Sequence, residues 1–174
     1  LCDWSSDVCS SDPDLGAILS EQHLNKLEQW MLMVEIEGGQ ILCGGSRVEL
    51  EGELAAGYFM RPTVIEGIPN DSLLNQEPIF GPVVTIQIFD TEEEVITLAN
   101  GTKYGLSASI WTQDIQRTHR LTAAIQARTI WVNAWMPENE DMKSGGLFGT
   151  NLPVEGGSAS LDFFSERKEV VVKY

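Results

Sequence analysis

Few side chains in this sequence could act as a nucleophile or bind a metal. The 174 residues include three cysteines, Cys2, Cys9 and Cys43, and two histidines, His23 and His119. An odd number of cysteines without the paired spacing of a zinc site indicates reduced thiols, as in a cytoplasmic protein. A zinc site would also need more ligands nearby than the two histidines supply. We therefore expect no metal.

Cys43 has two interpretations. A nucleophilic cysteine needs a cationic environment or a helix N-terminus that stabilises its thiolate. Cys43 instead follows Ile41 and Leu42 at the end of a predicted strand, and Arg47 is the only cation close to it in sequence. The pattern favours a small buried side chain over a nucleophile.

The charge of the chain excludes two classes of partner. Eleven Lys and Arg residues against twenty-six Asp and Glu residues give a formal net charge of −15. Such a chain has no basic stripe with which to bind nucleic acid, and it would be repelled by an anionic membrane surface. No apolar run approaches the roughly 18 residues of a membrane span, and we see no signal peptide. The sequence therefore predicts a cytoplasmic protein that binds neither nucleic acid nor membrane.

The first half of the chain predicts one helix and several short strands. Ser20 is a suitable N-cap, and Leu24, Leu27, Met31 and Val34 follow a helical period along one apolar face. Glycines at 38 and 39 end this helix. Residues 40–43 predict a short buried strand, 49–53 an acidic loop, and 58–65 a strand interrupted by a proline.

The second half predicts alternating strands and helices. Strands are expected at 83–89, 106–111 and 129–133, where β-branched residues are frequent. Thr91 with Glu94 forms a capping box for one helix, with Val95, Ile96 and Ala99 on one face, and Asp114 can cap the next, with Leu121, Ala124 and Ile125 facing inward. This alternation predicts an α/β fold with an open, mostly parallel sheet. A Gly-rich loop at 145–157 and a last strand at 169–173 complete the chain.

Several segments in a fixed order resemble the aldehyde dehydrogenase superfamily. Residues 76–83, Gln-Glu-Pro-Ile-Phe-Gly-Pro-Val, are similar to its Glu-x-x-Phe-Gly-Pro segment. The other matches are Gly-Tyr-Phe-Met-Arg-Pro-Thr at 57–63, Tyr-Gly-Leu-Ser-Ala at 104–108, Trp-Val-Asn at 131–133 and Phe-Phe-Ser-Glu-Arg-Lys at 163–168. The order of these matches makes the resemblance more specific than any one of them.

The resemblance implies a fold and a parent activity. It implies the three-layer α/β catalytic domain of the family over residues 13–160, and a C-terminal segment at 161–174 whose strand joins a sheet in a neighbouring subunit of a homo-oligomer. Residues 1–12, rich in Ser and Asp, are expected to be a non-native or disordered tail. The implied reaction oxidises an aldehyde to a carboxylic acid with NAD or NADP.

The residues that would perform this reaction are expected to be absent. The chemistry needs a cysteine thiolate that attacks the aldehyde and a carboxylate that activates water. The family supplies both from its Phe-x-x-x-Gly-Gln-x-Cys and Glu-Leu-Gly-Gly segments, and neither segment occurs in these 174 residues, nor does a Gly-rich dinucleotide fingerprint. We therefore expect no catalytic residue here and a chain that is inactive alone.

The resemblance nevertheless implies cofactor-binding residues. Residues matching Lys26 and His23 approach the nicotinamide-side ribose, although either could simply lie on a solvated helix face. Phe80 matches an aromatic residue beside the nicotinamide, and its alternative is core packing. The family's ribose-binding glutamate falls at Pro78, which has no acceptor side chain, so Glu77 is the nearest candidate although it would point elsewhere.

The implied substrate pocket lies further along the chain. Asn133 matches a Val-Asn pair near the substrate entrance, and it is either a structural hydrogen-bonding residue or a supporting group of the site. Trp135, with Trp131, could line an aldehyde tunnel or belong to the core. The segment 142–155 departs most from the family pattern, with Val154 in place of an arginine.

Two functions are therefore compatible with the sequence. The first is a C-terminal portion of an NAD(P)-dependent aldehyde dehydrogenase that acts on small aliphatic aldehydes or ring-cleavage semialdehydes. The second is a non-catalytic interaction module that pairs with intact subunits through its last strand.

Overall fold

The computed structural model describes residues 15–135, 147–148, 164–166 and 168–173. It divides into two compact units, the first ending at Ile88 and the second beginning at Phe89. The expected tail at 1–12 and most of the segment 142–155 lie outside the described residues.

The first unit begins with a capped helix. Helix α1 spans Glu21–Ile36, and the Ser20 side chain accepts a hydrogen bond from the backbone N–H of His23. The predicted stripe is buried, with Leu24, Leu27 and Val34 fully enclosed. At the other end, Gly38 has a φ of 79° and the Gly39 N–H donates to the Val34 carbonyl, which closes the last turn. Both predicted boundaries of α1 are confirmed.

Short strands follow α1 in the first unit. They are β1 at Gln40–Cys43, β2 at Arg47–Val48, β3 at Phe59–Met60, β4 at Thr63–Glu66 and β5 at Val83–Ile86. A 3-10 helix lies at Gly52–Leu54, in the expected acidic loop, and a short helix α2 at Leu73–Gln76. The predicted interruption by Pro62 is confirmed, since the chain changes there from β3 to β4.

The pairing of these strands places β4 in the centre of a three-stranded sheet. β1 pairs antiparallel with β4, and β5 pairs parallel with it, while β2 and β3 form a separate antiparallel pair. Ile65 of β4 is fully buried and joins the core formed by the apolar face of α1. Strand β1 is only half-buried on alternate residues, so the expected buried strand is wrong on this point: Leu42 is 45% exposed because α1 contacts one face of the strand.

The second unit contains a parallel pair joined by a helix. Its elements are α3 at Glu92–Ala99, β6 at Tyr104–Gly105, β7 at Ser107–Ile110, α4 at Ile115–Ala124, β8 at Thr129–Val132 and β9 at Leu147–Phe148. β7 and β8 pair parallel across α4, as the alternation predicted, and β6 pairs antiparallel with β9. Leu121 on α4 is buried, as expected. On α3, Val95 and Ile96 are half-buried as predicted, but Ala99 is exposed and Leu98 takes its place on the half-buried face.

Two predictions need correction, and a third is not tested by a single chain. Strand β5 ends at Ile86 rather than at 89, because its pairing with β4 stops at Glu66. Strand β9 lies within the predicted Gly-rich loop. Residues 169–173 pair with no other described segment of the chain, and their predicted strand, which would join a sheet in a neighbouring subunit, stays a prediction.

Candidate functional site

Helix α1 presents the first two candidate residues. His23 and Lys26 are three residues apart, so they lie on the same face, in the wall of an open groove along the first half of the helix. Lys26 is exposed and His23 is half-buried. The capping bond at Ser20 fixes the first turn of α1 and thereby the start of this face.

Phe80 lies in a strained turn beside this face. Its φ is 53°, a left-handed backbone conformation that bulky residues rarely adopt, and its side chain is 80% exposed. The Nε2 atom of His23 lies 2.7 Å from the Phe80 carbonyl oxygen. The expected alternative of core packing for Phe80 is wrong, because a ring with this exposure is not part of the core of the described chain.

The residues after Phe80 anchor the turn to α1 and to β4. A Cβ atom added to Gly81 would lie 2.7 Å from Cδ2 of Leu27, so the glycine backbone packs directly against the helix. The Pro82 carbonyl accepts a hydrogen bond of 2.7 Å from the Thr63 N–H. The turn is therefore held on both flanks by fixed secondary structure.

Glu77 lies three residues before Phe80, at the end of α2. Its N–H donates to the Leu73 carbonyl, and its backbone is extended, with φ −116° and ψ 147°. Its side chain is half-buried, whereas Pro78 next to it is exposed. The first unit thus brings His23 into contact with the Phe80 turn and places Lys26 one helical turn further along α1.

Asn133 occupies the second strained position, in the second unit. It follows β8 with a φ of 50°. Its side-chain oxygen accepts from the Thr112 N–H and its Nδ2 donates to the Thr112 carbonyl, both at 2.9 Å. Its own N–H donates to the Ile110 carbonyl at 2.8 Å. Both functional groups of the amide are used to extend the β7–β8 pairing, which is the structural role that the sequence left open.

The left-handed residue at 133 turns the chain so that two tryptophans meet. Trp131 and Trp135 pack edge to face, with ring centroids 5.4 Å apart. Trp135 remains 65% exposed, and the Ser109 hydroxyl donates to the carbonyl of the adjacent Ala134 at 2.7 Å. Trp135 is therefore an exposed aromatic held on a fixed turn, not a core residue.

Two partners in these sites carry no sequence signal. Thr112 contacts Asn133 only through its backbone, and the Phe80 carbonyl contacts a side chain 57 residues away. Backbone groups of this kind cannot be recognised from residue type. His23 was predicted from the sequence for a different reason, namely its approach to a ribose.

Cys43 lacks the environment of a reactive thiol. Its Sγ atom lies 3.9 Å from the Pro62 carbonyl oxygen and the side chain is half-buried, which corrects the expectation of a buried one. Arg47 is engaged elsewhere, with Glu28 at 3.1 Å and Asn25 at 2.9 Å on α1. The hydrogen bond to the Glu28 carboxylate raises the pKa of Arg47 above its usual value.

No metal centre or membrane span is found in the described part of the chain. These residues contain no group of three or more His, Cys, Asp or Glu side chains placed to hold a metal ion. None of the helices described has both the length and the apolar character needed to cross a bilayer.

The parallel strand pairs and the helices between strands define an α/β fold, and sequence comparison identifies the family. The sequence profile of the aldehyde dehydrogenase family matches residues 6–170. The 2-aminomuconic semialdehyde dehydrogenases of Danio rerio and Mus musculus are 41% and 42% identical over 175 residues, covering 98% of this chain and 36% of each relative. The 2-hydroxymuconic semialdehyde dehydrogenase of Pseudomonas putida is 36% identical over 165 residues, covering 94% of this chain and 34% of the relative.

Solved structures agree with this family. A variant of betaine aldehyde dehydrogenase from Staphylococcus aureus matches with a TM-score of 0.79 and 34% identity, over 89% of this chain and 31% of that protein. An aldehyde dehydrogenase of Bacillus cereus, solved with NAD+, matches with the same TM-score and identity, over 90% of this chain and 31% of that protein. The chain belongs to the aldehyde dehydrogenase family and has the α/β fold of its catalytic domain. It spans about a third of the length of the curated relatives it matches.

Proposed function

We propose that this chain forms part of an NAD(P)-dependent aldehyde dehydrogenase that oxidises aldehydes to carboxylic acids, with residues 13–160 in its catalytic domain. The observation that carries the proposal is the strained, exposed Phe80 turn beside His23 and Lys26 in a chain of this family. Structures of relatives solved with NAD+ support the choice of cofactor.

The exposed side chains fit a nicotinamide ribose. The Phe80 ring offers an apolar face of the size of a nicotinamide, and the Lys26 ammonium can donate hydrogen bonds to ribose hydroxyl groups. Glu77 is the candidate side-chain acceptor near the turn, because the side chain of Pro78 has no acceptor. When bound, the nicotinamide accepts a hydride from the substrate.

The role of this chain's own residues is to bind and orient. Phe80 and Lys26 position the cofactor. Asn133, whose amide groups bond to the Thr112 backbone, supports the turn that carries Trp135, and Trp135 forms part of the wall that faces the aldehyde. We assign no nucleophile among the described residues, because Arg47, the cation closest to Cys43 in sequence, is bonded to Glu28 and Asn25 instead of the thiol. The chain alone is therefore expected not to turn over aldehyde with either NAD or NADP, and turnover would contradict this assignment.

The substrate class is a semialdehyde or a small aliphatic aldehyde. Relatives named for 2-aminomuconic and 2-hydroxymuconic semialdehydes support the first of these.

The proposed location of the protein is the cytoplasm. The free thiol of Cys43 is consistent with this reducing compartment.

Cofactor contact can be tested on the 174-residue chain. Saturation-transfer NMR with NAD+ should show transfer between the Phe80 ring and the nicotinamide protons. Phe80→Leu should weaken binding about fivefold, the equivalent of the roughly 1 kcal/mol of an aromatic stacking contact. Phe89→Leu is the matched control, since Phe89 is also exposed, at 49%. Equal binding by both variants would refute the role of Phe80.

A second function, pairing with other subunits, is favoured by the C-terminal segment. Val170, Val171 and Val172 are 71%, 84% and 62% exposed, although valine favours buried sheet positions. Residues 161–174 are proposed to pair with a second copy of the chain in a homo-oligomer. Val171→Lys should lower the mass measured by light scattering, whereas Leu19→Lys, at a 93% exposed control position, should not. A monomeric unmodified chain would contradict the pairing.

A further inference from the structure

Side-chain packing within the described chain does not set the direction of the Phe80 ring. With 80% of the residue exposed, the contacts that fix it must act through the backbone. That backbone is in a left-handed conformation, with φ 53°, which persists only where surrounding contacts determine it.

Among the described residues, the polar contact of the Phe80 backbone is with the His23 imidazole, whose Nε2 atom lies 2.7 Å from the Phe80 carbonyl oxygen. A carbonyl oxygen can only accept, so Nε2 of His23 must carry the proton and donate. Both the charged imidazole and the neutral Nε2–H tautomer satisfy this requirement. The contact therefore depends on a donor at this position and not on its charge.

The imidazole is itself well placed to hold the turn. It projects from the first turn of α1, whose backbone is fixed by the Ser20 cap. Gly81 packs on Leu27 of the same helix, so the turn and the helix are in contact at two successive residues. A donor on α1 therefore acts on a backbone that can move little.

We propose that His23 is a positioning residue, whose hydrogen bond to the Phe80 carbonyl keeps the turn left-handed and aims the aromatic ring at the nicotinamide. This rests on the proposed function for the identity of the ligand only. The action of His23 on the turn is a property of the chain itself. It differs from a direct contact between His23 and the ribose.

The structural part is tested by NMR on the full 174-residue chain. A strong intraresidue NOE between the amide and α protons marks positive φ at Phe80. His23→Met, which has similar length but no donor, should weaken this NOE, whereas His23→Gln, which restores a donor, should retain it. His119→Met, the same change at an exposed histidine on α4, is the control.

Nitrogen shifts of the unmodified chain should report the Nε2–H tautomer at His23. Unchanged amide shifts along α1 establish that each variant is folded. An NOE that persists at full strength in folded His23→Met would overturn the proposal.

The ligand part uses nicotinamide mononucleotide as the probe. His23→Met should weaken its binding about fivefold, the loss of one ordinary hydrogen bond, and His23→Gln should restore most of the affinity. If the unmodified chain shows no transfer from the probe to the Phe80 ring, the proposed function fails, yet a lost NOE in His23→Met still supports the positioning role. If the probe binds His23→Met and His23→Gln equally, the positioning of the ring is refuted even where the cofactor contact stands.

Discussion

The close packing of Gly81 on Leu27 allows the site to be tested through the core. A Cβ atom at residue 81 would lie 2.7 and 2.9 Å from the two methyl carbons of Leu27 and 3.4 Å from its Cγ. Leu27 is fully buried, so its methyl groups cannot swing away without displacing other core side chains. Gly81→Ala should therefore push the Phe80 turn away from α1.

The expected change in stability follows from the overpacking that Gly81→Ala causes and from its relief when the Leu27 side chain is shortened. Gly81→Ala adds one methyl group to a filled space, which should lower the free energy of unfolding by about 1–3 kcal/mol. Leu27→Ala should cost about 2–5 kcal/mol, because it removes a fully enclosed side chain. The cavity left by Leu27→Ala lies where the new methyl group would go. In that background Gly81→Ala should be neutral or stabilising, with a coupling energy of about 1–3 kcal/mol.

Urea denaturation followed by circular dichroism would measure this cycle. Gly16→Ala is the matched control, because a Cβ atom there meets nothing within 4 Å, and it should change stability little. If Gly81→Ala costs the same with and without the Leu27 side chain, the packing explanation is refuted. If Gly81→Ala leaves stability intact in both, the turn is not pressed against α1 at all.

Three further predictions concern local features. Asn133→Ala should lower the free energy of unfolding by about 2 kcal/mol, from lost hydrogen bonds and a left-handed φ that alanine disfavours, and Asn133→Gly should cost less; equal costs in thermal denaturation would refute the strain. Hydrogen bonds from Arg120 and then Arg117 lower the pKa of Glu92 to about 2 from 4.5. Because this pKa is depressed on folding, the ion pairs of Glu92 with Arg117 and Arg120 contribute fully to the free energy of unfolding above pH 4.5, and this contribution is lost as the pH falls toward 2. Glu92→Gln should flatten that part of the curve of unfolding free energy against pH, and an unchanged curve would contradict the ion pairs. Ser20→Ala should cost about 1 kcal/mol by removing the N-cap of α1, with Ser20→Thr as the control; a loss of helix signal no greater than in the control would argue against the cap.

Local patterns were sufficient where neighbouring residues decide the conformation. The N-caps at Ser20, Thr91 and Asp114 are all made as predicted, because a capping side chain bonds to a backbone N–H two or three residues away. The apolar stripe of α1 is buried as predicted, since the helical period alone assigns those residues to one face. The segment around Phe80, residues 76–83, was likewise recognised from its residue types and their order.

Tertiary structure decided what depends on distant backbone. The sequence shows Phe80 but not that its ring is exposed on a left-handed turn, because the groups that hold the turn, His23 and Leu27, lie more than fifty residues earlier. It shows Asn133 but not the use of both its amide groups on the Thr112 backbone. Residues 169–173 have a strand-forming composition but pair with no described segment of the chain, since a strand requires a partner ladder that composition cannot supply. The sequence alone therefore determined which residue types are available. The packing of α1 with β4 in the first unit, and the pairing of β7 with β8 in the second, determined which of them are held in strained, exposed positions.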